Sequence, residues 1–343
     1  MGRTCARFYC PGSILRELQW YDAPQGRVVH HIDPVIATIF GFHFWWYGLS
    51  YALGLFNAHL FIRRERGRLG LSLRSVYTLT LLITAGVLIG GRSVCVFNNE
   101  WDFYGRHLSF IPRIWIGGLA THGLIVGGAM GVFAYCWISG RPFRPLFDVL
   151  AIAAGLILGF GRIGNFIDGH IYGSITTVPW GVKFPDVDGF RHPVVLYDSL
   201  KNFLLVPFLL WVRRRGAPPG RVAALFVFLY PFLRIFIDLL REYPITNFGI
   251  PTGQFFNLIM ASAGVVLLVI NWRREKSGRV VAAPAPLDLP AGPGWRPWVF
   301  AAVLAFVLVI PSDSRRDVPA AYGARHPGLT YSAIYPRIDY GVR

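Results

Sequence analysis

Charge is what this chain has least of. Only 15% of its 343 residues are Asp, Glu, Lys or Arg, and 54% are hydrophobic, whereas a soluble domain carries about a quarter charged residues. That shortage excludes an ordinary soluble enzyme. Acidic residues are the scarcer kind, 18 against 34 Lys and Arg, for a net charge of +16. Cysteine is sparse too: Cys5, Cys10, Cys95 and Cys136 stand at no spacing that reads as a metal site. No metal or organic cofactor is called for. Cys95 and Cys136 fall in apolar runs and read as packing residues. Cys5 and Cys10 leave open a disulfide or a pair of idle thiols. Residues 1–34 lack the apolar core of a signal peptide, so no cleavable leader is expected. No internal repeat is evident.

What the chain has in excess is long apolar runs. Eight can be drawn, near 35–62, 76–97, 115–137, 147–163, 196–212, 222–240, 253–272 and 297–311. Most reach the roughly 20 residues that a spanning helix needs, and the last is short. Basic residues alternate between the loops. Those at 63–74, 141–144, 213–221 and 273–279 hold 15 Lys and Arg, and the opposite short loops hold six. Cytoplasmic loops carry the excess of Lys and Arg, so this pattern puts the N-terminus outside. The basic balance is then a topology signal and an affinity for anionic membrane lipids, not a nucleic-acid footprint.

The expected architecture is an all-α polytopic membrane protein. Residues 1–33 form an external segment, and 34–276 the transmembrane core with a small structured external loop at about 164–195. A Pro/Ala/Gly-rich linker at 277–296 leads to a short eighth span at 297–311 and an external tail at 312–343. The composition of that linker argues that the tail does not complete the core.

Polar residues cluster by depth. The stretch Gly161 to Gly173, GRIGNFIDGHIYG, packs Arg162, Asn165, Asp168 and His170 into the end of an apolar run. Arg and Asn beside glycines offer a fork of donors and close backbone approach, which suits a phosphate. His122 lies roughly 10 Å from the outer end of the third run at 1.5 Å per residue. Arg234 lies at a similar depth in the sixth, and Tyr230, Arg234 and Asp238 share one helical face. Arg92 is near the outer end of the second run, and Tyr47 lies deeper in the first. Each could be structural: Arg234 and Asp238 as an ion pair, His122 and Tyr47 as packing residues. Their convergence in the outer half, with few carboxylates to match three guanidiniums, predicts a positive hollow for an anionic headgroup.

With these residues assembled, the chain resembles the bacterial prolipoprotein diacylglyceryl transferases over about Pro34 to Trp272. The resemblance rests on HFWWYGLSYALG, LIGGRSVCVF, GGLATHGLIVGG, GRIGNFIDGHIYG, RHPVVLYDS, YPFLRIFIDLLRE and GQFFN, in that order. It implies a seven-span enzyme of the bacterial cytoplasmic (inner) membrane with an external N-terminus. It also implies transfer of diacylglyceryl from phosphatidylglycerol to the lipobox cysteine of prolipoprotein signal peptides. By motif position, His122, Arg162, Arg234 and Tyr230 match catalytic positions. Tyr47, Arg92, Asn165, Gly173 and Asp238, with Arg162 and Arg234, are expected to bind phosphatidylglycerol. The chain departs from the family pattern at Asp168-Gly169-His170, where Asn-Gly-Glu is usual. It departs also at Asp238 for Glu, and at His122-Gly123-Leu124 for His-Gly-Gly. A divergent or inactive homologue that binds anionic phospholipid, as a lipid-handling transporter or scaffold, is the alternative. A transporter would need polar residues in the inner halves of the spans, and they are nearly absent.

Overall fold

The structure is a computed structural model describing residues 21–22, 27–185, 187–242, 246–247, 249–278, 292–312 and 317–338. Cys5 and Cys10, and most of the 277–296 linker, lie outside the described residues. Seven helices form the body: α1 (Trp46–Leu69), α2 (Leu73–Val94), α3 (Thr121–Ser139), α4 (Phe143–Asp168), α5 (Val194–Arg214), α6 (Arg221–Asp238) and α7 (Thr252–Lys276). Apolar runs of this length must satisfy their backbone N–H and C=O groups internally, and a helix does so. Five of them (α2 with its extension to Asn99, α3, α4, α5 and α7) are long and apolar enough to cross a membrane. α1 is long but ends in a run of arginines, and α6 is 18 residues with Arg221, Arg234 and Asp238 in it. α7 turns Leu258, Ile259, Val265, Val266, Leu267, Val269 and Ile270 outward, the face of a helix against lipid. The all-α polytopic architecture read from the sequence is the one observed.

The boundaries differ in four places, each for a local reason. The first apolar run does not begin as a helix. Val35–Ile39 (β3) and Phe42–Trp45 (β4) form an antiparallel hairpin, turning at Phe40 (φ 52°) and Gly41 (φ 80°). β-Branched and aromatic residues suit strands, and a continuous apolar run does not distinguish the two states. The third helix starts at Thr121, not 115, because Gly117 (φ 89°) and Gly118 (φ 94°) break the chain before it. The fourth runs past 163 to Asp168 and stops at Gly169 in the left-handed conformation (φ 78°). Arg162 and Asn165 are therefore inside a helix, one turn apart. The expected eighth span is a 12-residue helix, α8 (Arg296–Val307), about 18 Å long and so shorter than a bilayer core of about 30 Å.

Glycines set how closely the helices pair. A Cβ on Gly127 would stand 1.9 Å from the Gly86 carbonyl oxygen, and one on Gly123 2.2 Å from that of Gly90. α2 and α3 thus touch backbone to backbone, as small residues permit in membrane helices. α1 meets α4 closely at Gly54 and Gly164, where a Cβ would strike the Ile157 and Tyr47 backbone, and at Gly161, which makes room for the Tyr51 ring. At the end of the bundle that carries the α5–α6 turn, the Asp148 carboxylate of α4 accepts from the Gly220 and Ala223 N–H groups at 2.7 and 2.8 Å. It thereby caps the start of α6 from a neighbouring helix.

Outside the bundle, Tyr21–Asp22 (β1), Arg27–Val29 (β2) and Val182–Lys183 (β5) make a small sheet ordered β1-β2-β5. β5 lies between α4 and α5, within the stretch expected as a loop at about 164–195, whose first residues, to Asp168, close α4. His30, just after β2, reaches the Phe166 carbonyl at 2.7 Å, tying this sheet to the end of α4.

The tail corrects the expectation drawn from the linker. Val307, Ile310, Val318, Tyr322, Leu329 and Tyr335 are buried in the main hydrophobic core. The end of α8 presses on α1: a Cβ on Gly48 would lie 2.4 Å from the Val307 carbonyl oxygen, and Trp45 N–H donates to Leu308 C=O at 2.9 Å. Trp115 Nε1 donates to Ile334 C=O at 3.2 Å. Residues 296–312 and 317–338 are part of the folded body.

Candidate active site

Helices α1, α3, α4, α6 and α7 enclose a cavity of about 300 Å³, at the small end of ligand sites. Tyr47 and Tyr51 line it from α1, Thr121 and His122 from α3, Arg162 and Asn165 from α4, and Arg234 from α6. Arg241, Phe256 and Ser312 complete much of the wall. The sequence reading had named five of these: Tyr47, His122, Arg162, Asn165 and Arg234. They converge because the last turns of α4 lie against the start of α1 across Gly161 and Gly164.

The arginines are organised by a carboxylate that the sequence reading passed over. Asp198 of α5 is buried, with Oδ2 2.6 Å from Arg162 Nε and 3.0 Å from Arg234 Nη1. Its Oδ1 lies 2.6 Å from Lys201 Nζ in an ion pair. Arg234 also donates to Asp238 at 3.4 Å and to the Tyr230 hydroxyl at 3.0 Å. Asp238 accepts from Asn257 at 2.8 Å. Three cations (Arg162, Arg234 and Lys201) therefore face two carboxylates (Asp198 and Asp238). The hollow is positive, but less so than three unmatched guanidiniums would make it. The missed signal was an Asp and a Lys one turn apart, Asp198 and Lys201, inside an otherwise apolar run.

Arg162 donates to Asn165 Oδ1 at 3.1 Å and to Thr121 Oγ1 at 3.2 Å besides pairing with Asp198. A guanidinium has five N–H donors, so two remain for a ligand in the cavity. His122 rests on the Phe256 ring, centroids 4.9 Å apart, with the Asn257 side chain within reach and its Nε2 buried. An imidazole on the wall of a cavity is placed to take a proton. Tyr47 and Tyr51 pack ring to ring at 4.8 Å.

Four expected residues stand elsewhere. Arg92 is the largest correction to the expected grouping. Its guanidinium donates to the main-chain carbonyls of Phe110, Ile111, Arg113, Gly117 and Gly118, and it lies over the Tyr104 ring. It borders a separate apolar groove of about 790 Å³ between α2 and α8. Gly173 is a packing position: its N–H donates to His192 C=O, and a Cβ there would come 2.6 Å from the Leu240 oxygen. Tyr230 and Asp238 lie behind Arg234 and hold it, outside the cavity wall.

Comparison with known proteins identifies the family of this chain. A family model described as prolipoprotein diacylglyceryl transferase matches residues 34–270. A Geobacter sulfurreducens protein named phosphatidylglycerol–prolipoprotein diacylglyceryl transferase is 35% identical over 254 residues, covering 71% of this chain and 97% of that protein. Proteins of the same name from Mannheimia succiniciproducens and Methylobacillus flagellatus are 33% and 32% identical. They are matched over 95% and 100% of their own lengths and over 71% and 72% of this chain. From the family match over its helical core and the identity to these relatives, this chain belongs to the prolipoprotein diacylglyceryl transferase family.

Proposed function

We propose that this chain transfers the diacylglyceryl group of phosphatidylglycerol to the lipobox cysteine thiol of prolipoproteins. The observation that carries the reading is the convergence of Arg162, Arg234 and the His122 imidazole on one small cavity. The phosphodiester of the lipid headgroup takes the remaining donors of Arg162, next to Arg234. A thiol with a pKa of about 8.5 is a weak nucleophile until deprotonated. The His122 imidazole accepts its proton, and the thiolate attacks the glycerol CH2 of the diacylglyceryl group that bears the phosphodiester. The S–C bond forms, the C–O bond breaks, and glycerol phosphate leaves with the electron pair. Charge grows on the phosphate as it departs, and the two arginines are stronger partners for it then than before. Asn165 and Thr121 fix the plane of Arg162, and Tyr230, Asp198 and Asp238 that of Arg234.

The cavity sits where the topology argument puts the outer half of the membrane. In this reading the protein lies in the bacterial inner membrane with its N-terminus and the 164–195 loop external. Cysteine labelling at Arg68 and Lys183 positions tests the orientation, and labelling of both from one side overturns it. Purified protein supplied with phosphatidylglycerol and a lipobox peptide is expected to release glycerol phosphate and to add one diacylglyceryl mass to the peptide. Binding of the lipid with neither product would favour a scaffold.

A further inference from the structure

The family match ends at residue 270, and the matches to relatives fill 95% to 100% of those proteins. The relatives thus have no room for a segment as long as 296–338. Yet Ser312 of that segment lines the cavity and is itself buried. Its Oγ accepts from Asn165 Nδ2 at 2.6 Å. The other end of the same amide, Oδ1, accepts from Arg162 Nη1 at 3.1 Å. Arginine can only donate, so the Asn165 oxygen must face it and the NH2 must face Ser312. The serine hydroxyl therefore fixes the amide, and the amide fixes the guanidinium.

A second contact lies one turn further along α4. Arg325 donates to the Asp168 carbonyl at 2.5 Å and to His170 Nε2 at 3.2 Å. His170 Nδ1 lies 3.0 Å from the Asp168 carboxylate. Since Arg325 only donates, Nε2 is the acceptor and Nδ1–H points at Asp168. The His170 ring also meets Tyr322 edge-on at 4.9 Å. Asp168 and His170 are the positions where this chain departs from the usual Asn-Gly-Glu, and both face the added segment.

We propose that residues 296–312 and 317–338 are a built-in wall of the active site and that Ser312 is a positioning residue, holding Arg162 for the lipid phosphate through Asn165. The proposal rests on the transferase reading for its substrate, while the geometry of the wall does not. Without Ser312 Oγ the Asn165 NH2 is buried without a partner, the amide can turn over, and Arg162 Nη1 loses its fixed acceptor.

The test uses the full chain in lipid nanodiscs, comparing wild type with S312A, S312T, N165A and S312A/N165A. The KM for phosphatidylglycerol should rise about tenfold in S312A, as expected for a lost hydrogen bond that leaves a buried donor unpaired. The KM for the lipobox peptide should stay put, and S312T should return the lipid KM to within about twofold of wild type. The double variant should be no worse than N165A, because both act through one amide. A wild-type lipid KM in S312A, or a fall in kcat alone with both KM values unchanged, would overturn the proposal, the latter because it reports fewer folded molecules. Phosphatidylglycerol binding is measured on the same proteins without peptide. If wild type transfers nothing, the transferase reading fails. Tenfold weaker lipid binding by S312A would still uphold the wall, and equal binding would overturn it.

Discussion

Arg92 and Arg162 are equally buried, each 6% exposed, and both were read from the sequence as headgroup ligands. Their partners separate them. Arg92 is held by five main-chain carbonyls of the 110–118 loop, and Arg162 by a carboxylate, an amide and a hydroxyl. Main-chain carbonyls in a folded loop cannot swing away, so Arg92 is a knot. Three side-chain partners leave two Arg162 donors for a phosphate, so in the proposed reading Arg162 is the receptor. For a buried arginine, what accepts its protons says more about its task than how deep it lies.

The sharpest way to break the contrast is at Arg162. R162A is expected to lower turnover by about 10² to 10³-fold, the usual cost of removing one preorganised donor to a developing anion. R162K should recover little of it, because a point charge does not reproduce the fork. Melting temperature should change far less than activity. A lysine variant within a few-fold of wild type would show that charge alone suffices, and the receptor reading would fail.

The complementary result is expected at Arg92. R92A leaves up to five carbonyls short of a donor and should destabilise the protein by on the order of 3 kcal/mol. Turnover per folded molecule and the KM for phosphatidylglycerol should hold. A raised lipid KM at unchanged stability would put Arg92 back among the ligands.

Asp198 joins the two halves of the site, and D198N tests whether the arginines need it. The amide can still accept one hydrogen bond but cannot balance Arg162, Arg234 and Lys201. An intermediate fall in turnover, about tenfold, is expected, with loss of stability from three crowded cations. Unchanged turnover with lowered stability would make Asp198 a staple only.

The sequence disclosed these elements unequally. Apolar runs, basic loops and the GRIGNFID block pointed to the helices and to the Arg162 and Asn165 pair, because each is a local pattern. The 35–45 hairpin was hidden because apolar continuity looks alike in strand and helix. The role of Arg92 was hidden because its acceptors are backbone atoms 18 to 26 residues away, and main-chain groups leave no mark in composition. Asp198 lies inside RHPVVLYDS, but two of its three partners, Arg162 and Arg234, come from other helices that only the fold brings to it. Ser312 had no signal at all, since it lies past a linker that reads as an end to the core.

The same contrast between groups with room for a ligand and groups held by packing extends to histidine, where it predicts the smallest effect. His122 stands on the wall of a cavity, with the Asn257 side chain beside it. His43, on the outer hairpin, is buried with Nδ1 2.8 Å from Thr38 Oγ1, and its ring stacks on Tyr335 at 4.6 Å. His326 stands 6.4 Å off, ring to ring, and is itself 2.7 Å from Asp33. Burial, and then the nearby His326, push the His43 pKa down to about 4 from an ordinary value of 6.5. The unfolded chain therefore takes up a proton at this position as pH falls below about 6.5, while the folded chain stays neutral until about pH 4. Stability is unaffected above that window, declines through it, and levels off beneath it. Because His43 joins the hairpin to Tyr335, the loss should loosen the tail first. Melting curves of wild type and H43Q between pH 7.5 and pH 4.5 should converge on one slope at the upper end. The wild type should fall more steeply at the lower end, while transfer at pH 7.5 is unchanged. Parallel curves throughout would mean that His43 takes up its proton as readily folded as unfolded, and the packing against Tyr335 would not be what keeps it neutral.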